Sequence, residues 1–324
     1  PGLLWPREIL RDTTFDLPLP ALSLLLGRAK LARLDGEEAW LANAFGIAAP
    51  LPAAPLRLLG DGGDAARHDW LCLDPVHWRV EDSAIVLDDP ARLELDADED
   101  QALRELAAPL FAHLGDIVAP VPGRWHLRLR QPAAILTAPL QTAVGRQVDP
   151  ALPAGDDGAS WRGLLAEVQP MLHAHPVNGG RAARGRPTAN SLWPWGAGRL
   201  PDAARAGFRT FWGDDAVMKG LCSLGGIVAE PLPPRFTKVH GSVLARHEGL
   251  AASLSSFDAL AWRAALTALE EDWLAPALAA VRGGALRRLT LVACGHERAV
   301  EASIGRRDLW RFWRKDVALA DLAA

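Results

Sequence analysis

The sequence predicts an α/β protein with a mostly parallel central sheet flanked by helices. Apolar segments of strand length alternate with helix-length segments along most of the chain, which is the order typical of a sheet built from parallel strands. The 324 residues are 49% hydrophobic and 23% charged, a balance typical of a folded chain that buries a large core. No internal repeat or low-complexity tract interrupts this pattern.

The predicted helices follow from apolar spacing, capping residues and breakers. Leucines recur at helical spacing over 98–114 behind a run of acids, and Pro170 kinks or interrupts the helix at 161–175. A glycine closes the helix at 214–226. The predicted helices lie at 36–47, 98–114, 161–175, 214–226 and 255–281, the last as one long helix or two.

The predicted strands are short runs bounded by turn residues. RWHLRLR alternates with the period of two of a half-exposed strand, and the glycine- and aspartate-rich GDGGDAARHD separates two apolar runs. The predicted strands lie at 56–59, 70–73, 124–130, 227–230 and 286–293, the last of these being the final strand of the sheet.

Charge, apolar runs and cysteines restrict the classes of function. A net charge of −4 and an isoelectric point near 6.2 disfavour a general nucleic-acid binder. No apolar run reaches the roughly 18 residues of a membrane helix and no export leader is visible, so we expect neither membrane insertion nor secretion. Three widely spaced cysteines without a CxxC pair favour a reducing, cytoplasmic location.

The segment 168–201 carries the most distinctive chemistry. It contains four arginines and several glycines but no aspartate or glutamate. Glycines let a backbone approach a ligand, and arginines present forked donors to phosphate or carboxylate oxygens. The segment predicts a small-anion site walled by tryptophans; the alternative is a core strand followed by a tight turn with solvated arginines. The candidate ligand-binding residues here are Asn178, Arg181, Asn190, Trp193, Trp195, Gly196, Gly198 and Arg199.

The same segment resembles the archaeal-type cofactor-independent phosphoglycerate mutases. In those enzymes a His-Pro-x-Asn, a spaced arginine and an Ala-Asn precede a Trp-x-Trp-Gly-x-Gly, and residues 172–201 follow that order. Residues 216–232 resemble the helix and strand that come next in the mutases, where a Lys-Gly pair sits like Lys219 and Gly220. The resemblance adds Lys219 to the candidate ligand-binding residues.

A wider resemblance, to the RpfE-type regulatory proteins of proteobacteria, covers most of the chain. It rests on WLCLDPVHW at 70–78, the Trp-Pro-Trp-Gly-x-Gly segment, ALEEDWLAPALAAV at 268–281 and DLWRFWRK at 308–315. That family is itself similar to the mutases, and the resemblance implies the α/β fold of the alkaline phosphatase superfamily.

The resemblance to the mutases also implies a division of the chain. It places residues 1–76 and 188–324 in one α/β lobe and residues 77–187 in an inserted α+β lobe.

The chain departs from the mutase pattern where metals would bind. The mutases hold two divalent metals with aspartates and histidines and use a serine that accepts the phosphoryl group, because the ions activate the nucleophile and neutralise developing charge. Here Asp-His-Gly is missing, and no serine follows LLGDGGDAARHDW at a suitable distance. Turn chemistry accounts for Asp-Gly-Gly-Asp, so no metal is predicted. The residual metal candidates are Asp61, Asp64, His68 and His296.

The segment DLWRFWRK at 308–315 is predicted to be a helix. Leu309, Phe312 and Trp313 would then share a face docked on the core, with the cations complementing the helix end. The alternative is a basic-aromatic patch for a partner or an anionic surface.

These observations predict a degenerate, non-catalytic mutase relative that binds a small anionic or phosphorylated ligand, needs no cofactor and acts in regulation. One alternative is an active phosphoglycerate mutase or related phosphoryl-transfer enzyme with two divalent metals such as manganese or zinc. The other is a protein-interaction module with a vestigial site. We expect no nucleic-acid or membrane partner, and the sequence leaves a protein partner and the oligomeric state open.

Overall fold

The computed structural model describes residues 2–4, 6–65, 67–82, 84–255, 258–295 and 298–323. Its helices are α1 (Arg7–Thr14), α2 (Pro20–Arg28), α3 (Glu37–Phe45), α4 (Ala53–Gly60), α5 (Ala97–Phe111), α6 (Leu140–Ala143), α7 (Gly158–Ala174), α8 (Pro176–Ala183), α9 (Ala216–Gly225), α10 (Gly249–Ser255), α11 (Ala259–Ala268) and α12 (Ala275–Gly283). Its strands are β1 (Lys30–Leu34), β2 (Asp69–Val76), β3 (Trp78–Glu81), β4 (Ala84–Leu87), β5 (Gly115–Val121), β6 (Arg124–Leu129), β7 (Ser191–Arg199), β8 (Thr210–Trp212), β9 (Val228–Glu230), β10 (Val243–Ala245), β11 (Arg288–Cys294) and β12 (Ala299–Gly305). Within the described ranges, no helix combines the length and apolarity that crossing a bilayer requires.

The chain forms two compact units. The terminal unit comprises Pro1–Pro50, Arg205–Asp214 and Ile227–Ala324, and the central unit comprises Leu51–Ala204 and Asp215–Gly226. The terminal unit thus contains both ends of the chain, and the central unit is one continuous run joined by α9. The lobe boundaries given in the sequence analysis remain a prediction.

In the terminal unit, the core forms where α2 meets the helical run from α11 to α12. Leu22 and Leu25 of α2 and Trp262 of α11 are fully buried, and burying each such side chain stabilises the fold by about 1.5–3 kcal/mol. A π-helical stretch, Leu269–Leu274, joins α11 to α12 and contains the buried Glu270. The Glu270 carboxylate accepts hydrogen bonds from the first backbone N–H groups of α2, so it caps a helix that has no side-chain cap of its own.

The central unit is organised by β2, which is buried along nearly its whole length. Its sheet has the order β5-β6-β2-β7. Successive side chains of a strand point to opposite faces. Leu71 and Leu73 accordingly pack in a core with α5 and α7, while Trp70 and Cys72 pack in a second core with α4 and β7.

The expected mostly parallel sheet is not observed. Among the described strands only β8 pairs in parallel, with β9 on one side and β10 on the other. The sheets β1-β12-β11, β5-β6-β2-β7 and β3-β4 are antiparallel. Apolar patterning alone does not distinguish parallel from antiparallel pairing, but the length of the connection between two strands does. Two residues, 122 and 123, join β5 to β6, and so short a connection allows only antiparallel pairing.

Two strand predictions are wrong and most other elements are confirmed. Residues 56–59 belong to α4, and β12 follows the strand predicted to be last. A short apolar run fits a buried strand or a buried helix equally well, and here packing decides. A Cβ on Gly60 or Gly220 would overlap a backbone carbonyl oxygen of the facing helix, so these glycines let α4 and α9 pack backbone to backbone. The remaining predicted helices and strands are all present, and residues 259–283 form one helical run.

The C-terminal aromatic segment differs from its prediction. Within 308–315 only Asp308–Trp310 are helical, as a single 3₁₀ turn. Leu309 packs against the core as expected. Phe312 and Trp313 are 79% and 69% exposed, so their predicted docking is wrong.

Candidate functional site

The Trp-Pro-Trp motif lies in β7, which pairs antiparallel with β2. Trp193 and Trp195 are two residues apart and therefore point to the same face, where both are buried in the core that includes α4. The indole N–H of Trp193 donates to the Ala138 carbonyl at 3.1 Å. This segment is the tryptophan-bearing core strand that the sequence analysis gave as the alternative to a ligand wall.

The two glycines after the tryptophans bring β7 against the start of α4. Gly196 has φ +66° and Gly198 has φ +153°, which other residues rarely adopt. A Cβ on Gly196 would lie 2.8 Å from the Ala53 Cβ, and one on Gly198 would lie 2.7 Å from the Pro52 Cβ. The close approach that these glycines permit is therefore to the protein's own helix.

Two candidate asparagines bridge backbone segments. The buried Asn178 side chain donates to the carbonyls of Leu172 and Ala189, both at 2.8 Å, and accepts from the Ala189 N–H at 3.0 Å. Asn190 accepts from the Trp78 N–H at 2.7 Å and donates to its carbonyl at 2.8 Å. Each amide makes paired backbone contacts, so the two residues fix the entry to β7.

Arg181 is completely buried. Its Nη1 donates to Glu99, its Nη2 donates to the Leu93 carbonyl, and its Nε donates to the Pro187 carbonyl at 2.7 Å. Arg184 reaches the other Glu99 oxygen at 3.0 Å. The guanidinium of Arg181 therefore joins α8, α5 and two loops, with all three nitrogens engaged.

The last two candidate residues lie at separate places in the central unit. Arg199, at the exposed end of β7, donates to Asp69 at 2.8 Å. Lys219 is a half-buried residue of α9, next to the Gly220 that faces α4. The nine candidate residues thus contact different parts of the protein, and none of them lines the cavity of about 700 Å³ in the central unit.

The most concentrated polar chemistry in the central unit is a buried cluster around Asp74 of β2. Arg57 of α4 donates two hydrogen bonds to its carboxylate, at 2.6 and 2.7 Å. The Trp195 indole and the Trp125 backbone N–H also donate to Asp74, at 2.8 and 3.2 Å. Arg57 further donates to His126 Nε2 at 3.1 Å, and its guanidinium lies 5.2 Å from the Trp195 ring centre. We call these five residues the Asp74 cluster.

Burial and charge set the protonation of this cluster. Burial, with the nearby positive charge of Arg57, lowers the pKa of His126 to about 2, so this imidazole is neutral and accepts from Arg57. Burial alone would lower the pKa of Arg57, but the Asp74 carboxylate outweighs it and the pKa is raised. Burial also raises the pKa of the neighbouring Cys72 thiol, which is therefore protonated and unreactive.

Asp61, the first acid of Asp-Gly-Gly-Asp, is held by an arginine. Its Oδ1 accepts from Arg124 at 2.7 Å, and only 4% of its side chain is exposed. Among the described residues, Oδ2 of Asp61 has no hydrogen-bond partner. Burial raises the pKa of Asp61, while Arg124 and Arg57 oppose that rise.

The rest of this loop borders a cavity of about 700 Å³. Arg67, in the cavity wall, has φ +67°, a left-handed conformation that costs a non-glycine residue about 1–2 kcal/mol. Arg128 of β6 also lines the cavity and donates to Asp116 at 2.8 Å. The lining includes Asp64, Arg67, His68, Trp70, Pro120 and Arg128. We call it the loop cavity.

The loop does not fit a divalent metal. Asp61 is neutralised by the guanidinium of Arg124, and a second cation beside that pair is electrostatically disfavoured. Over the described ranges, no three histidine, cysteine or acidic side chains are grouped so that they could hold a metal. Asp64 and His68 line the loop cavity, and His296 lies outside the described residues.

Comparison with known proteins relates part of the chain to phosphoglycerate mutases. A stretch of 73 residues, 22% of the chain, is 38% identical to the 2,3-bisphosphoglycerate-independent phosphoglycerate mutase of Methanosarcina acetivorans. A stretch of 95 residues is 33% identical to the protein of the same name from Methanothrix thermoacetophila. This part of the chain is homologous to those mutases. The chain spans only 17% and 24% of the length of these two relatives.

Over the whole chain the likeness is weaker. The solved structure of the cofactor-independent phosphoglycerate mutase from Thermoplasma acidophilum is 16% identical, covers 99% of this chain and 92% of its own, and gives a TM-score of 0.43. No protein-family model matches the chain. Membership of the RpfE-type regulatory family remains a prediction.

Apart from Trp195, the Asp74 cluster was absent from the predicted site, although the sequence carries a signal for it. Arg57 interrupts the apolar LRLL run, and Asp74 interrupts the apolar WLCLDPV run. A charged residue inside a buried segment requires a partner, so two such interruptions of opposite sign predict a buried pair. Nothing in the local pattern of RWHLRLR indicates that His126 joins them.

Proposed function

We propose that this protein is a non-catalytic relative of the phosphoglycerate mutases that binds a small phosphorylated or carboxylate ligand in the loop cavity and acts in regulation. The cavity is the proposed site in place of the 172–201 segment, whose buried polar groups are engaged within the fold. A regulatory role is implied by the resemblance to the RpfE-type proteins, and a cytoplasmic location is favoured by the three widely spaced cysteines.

One observation carries this proposal: two arginines from different elements line the same cavity. Arg67 belongs to the loop before β2, and Arg128 belongs to β6. Among the described residues Arg67 has no ion-pair partner, and it is held in a strained backbone conformation at the cavity wall. Guanidinium groups present forked donors that match phosphate and carboxylate oxygens. Trp70 adds an apolar wall against which the carbon skeleton of a small ligand can pack.

The cavity also lies beside the end of the segment 172–201, which resembles the mutases. In the β2–β7 ladder, Trp70 pairs with Gly198 and Asp69 pairs with Arg199. The predicted residue Arg199 is therefore adjacent to the cavity wall, although it does not line the cavity itself. This neighbourhood supports a binding role for the carboxyl end of β7.

The charge at the Asp-Gly-Gly-Asp loop supports binding without turnover. Phosphoryl transfer by two metals needs anionic ligands that are available to the ions. Here the Asp61 carboxylate is paired with Arg124 and is also influenced by Arg57. The cations near Asp61, the well-buried acid of this loop, are therefore arginine side chains of the protein.

A thermal-shift titration tests the proposal. We expect 3-phosphoglycerate or inorganic phosphate, with chelator present, to raise the melting temperature by about 2 °C at ten times its dissociation constant, because only the folded state binds it. Arg67→Ala and Arg128→Ala should each abolish the shift. Arg130→Ala is the matched control, since Arg130 also lies near Asp116 but does not line the cavity.

Three results would contradict the proposal. A shift that survives both cavity substitutions but disappears in Arg199→Ala would move the ligand to the end of β7. Conversion of 3-phosphoglycerate to 2-phosphoglycerate that depends on manganese and stops with chelator would show an active enzyme. Equal shifts in Arg128→Ala and Arg130→Ala would remove Arg128 from the site.

A further inference from the structure

The C-terminal segment 308–316 displays three aromatic rings to solvent. Trp310, Phe312 and Trp313 are 71%, 79% and 69% exposed. From typical aromatic side-chain areas, they expose on the order of 400–500 Å² of apolar surface within four residues. This area is as large as the largest apolar patch on a typical monomeric protein, and such patches are often functional.

The backbone that carries these rings is held in place on both sides. Before the rings, Arg28 of α2 donates to the Leu309 carbonyl at 2.6 Å. After them, Arg314 donates to the Ala29 carbonyl at 3.3 Å, and the Val317 N–H donates to the Ser23 carbonyl at 3.1 Å. The fold therefore fixes the segment along α2 while its rings point away from the core.

Close packing reinforces the attachment. A Cβ on Gly27 would overlap the Lys315 carbonyl oxygen, so the chain after the rings lies directly on α2. Leu309 packs against the core of the terminal unit. With the backbone anchored at these points, the exposure of the rings is a feature of the folded arrangement.

Cations flank the rings in the sequence. The segment 306–316 carries five arginines and lysines against two aspartates, and Asp308 is already paired with Arg311 at 3.0 Å. Beside it, Lys30, Arg314 and Lys315 line a groove of about 550 Å³ whose other walls are apolar residues of α2 and β1. Exposed aromatic rings flanked by basic residues, next to a groove lined by cations, form a surface that complements an anionic bilayer.

We propose that the segment 308–316 is a peripheral membrane anchor that inserts its three rings into the interface of an anionic bilayer. Tryptophan prefers the depth of lipid headgroups, where its ring is apolar and its N–H can remain hydrated. Lys30, Arg314 and Lys315 then lie at the height of the lipid phosphates. A stable protein–protein interface needs about 800 Å² from each partner, and here a small aromatic tip is bordered by charge. These features favour a lipid surface over a protein partner.

Vesicle flotation with the full-length chain tests the anchor. We expect binding to phosphatidylcholine vesicles containing 30% phosphatidylglycerol to be at least about tenfold stronger than to phosphatidylcholine alone, and to weaken in 0.5 M NaCl. Trp310→Ala/Trp313→Ala should lower the apparent affinity at least about tenfold. Phe15→Ala is the matched control, since Phe15 is an 81% exposed aromatic of the same unit that stands next to Asp16.

A second pair of variants tests the role of the basic residues beside the rings. Lys315→Gln should weaken binding to anionic vesicles severalfold, whereas Lys238→Gln removes an exposed lysine elsewhere in the terminal unit and should have no effect. All four variants change exposed side chains, so their melting temperatures should match that of the parent chain. That match separates loss of binding from loss of folding.

The anchor is refuted by failure to bind anionic vesicles, or by binding that the ring substitutions leave unchanged. Ring-dependent binding to an acidic peptide or to single-stranded DNA, without binding to vesicles, would assign the surface to another class of partner and would also refute it. None of these outcomes affects ligand binding at the loop cavity, so the two proposals are tested separately.

Discussion

Replacing Asp74 with asparagine should remove a large fraction of the stability of the protein. Each carboxylate oxygen accepts two hydrogen bonds, one from Arg57 and one from a tryptophan. In Asp74→Asn one oxygen becomes an amide NH₂, which leaves two buried donors without an acceptor at about 1–3 kcal/mol each. The buried Arg57 charge also loses its counter-ion, and breaking such a pair costs about 3–5 kcal/mol in total. We therefore expect a loss of about 4 kcal/mol.

Urea unfolding measures this loss against a matched control. With a slope of about 2 kcal/mol per molar urea, the unfolding midpoint should fall by roughly 2 M. Asp69→Asn makes the same change five residues earlier in β2, where Asp69 pairs with an Arg199 side chain that is 64% exposed. A surface pair contributes at most about 1 kcal/mol, so this midpoint should fall by no more than about 0.5 M. Equal losses in the two variants would refute the argument from burial.

A double replacement separates the charge from the packing. If the loss in Asp74→Asn comes partly from a stranded charge, then Arg57→Met/Asp74→Leu should recover that part only, because no unpaired ion remains but the Trp125 and Trp195 N–H donors still lack an acceptor. If the double variant loses as much stability as the two single variants together, the loss is due to packing instead.

Two further predictions follow from the same unit. Gly196→Ala should cost about 2 kcal/mol or more of stability, because it combines a left-handed φ with a close contact to Ala53. Gly179→Ala, on the open face of α8, should instead stabilise the fold by about 0.5–1 kcal/mol. The urea unfolding midpoints of the two variants measure the difference. The fold lowers the pKa of His126 to about 2, whereas the unfolded chain keeps the ordinary pKa near 6.5. Below about pH 6.5 protons therefore bind preferentially to the unfolded chain, and the stability of the fold decreases as the pH is lowered. Between pH 7 and pH 5 the parent chain should lose about 2 kcal/mol more than His126→Gln, and equal losses would contradict the buried neutral imidazole.

Local sequence pattern predicted the helices and most strands because those signals are local. Acids before α5 and the glycine after α9 mark their ends by direct interaction with backbone groups, and the structure has both. Sheet direction and the identity of α4 depend on contacts between distant segments, such as Gly60 with α9. Such contacts leave no periodic pattern in either segment, so local sequence could not decide them.

The predicted site shows the same division between local and distant information. The arginines, asparagines and glycines of 172–201 were predicted to contact a ligand, and in the structure Asn178, Asn190 and Arg181 contact other groups of the protein. For Arg181, two of those partners are the Leu93 carbonyl and the Glu99 carboxylate, about 85 residues earlier in the chain. A run without acids therefore does not imply unpaired cations, because the compensating acid can come from another element.

Energies decide between the two roles of Arg181. To bind a ligand, this fully buried guanidinium would have to leave Glu99 and two carbonyls, and breaking a buried pair costs about 3–5 kcal/mol. One charged hydrogen bond to a ligand contributes about 1.5–3 kcal/mol, so the exchange is unfavourable. Arg67, which has no pair to break among the described residues, faces no such cost. For an anionic ligand the energetics therefore favour the loop cavity, and they leave Arg181 as a residue that joins α5 to α8.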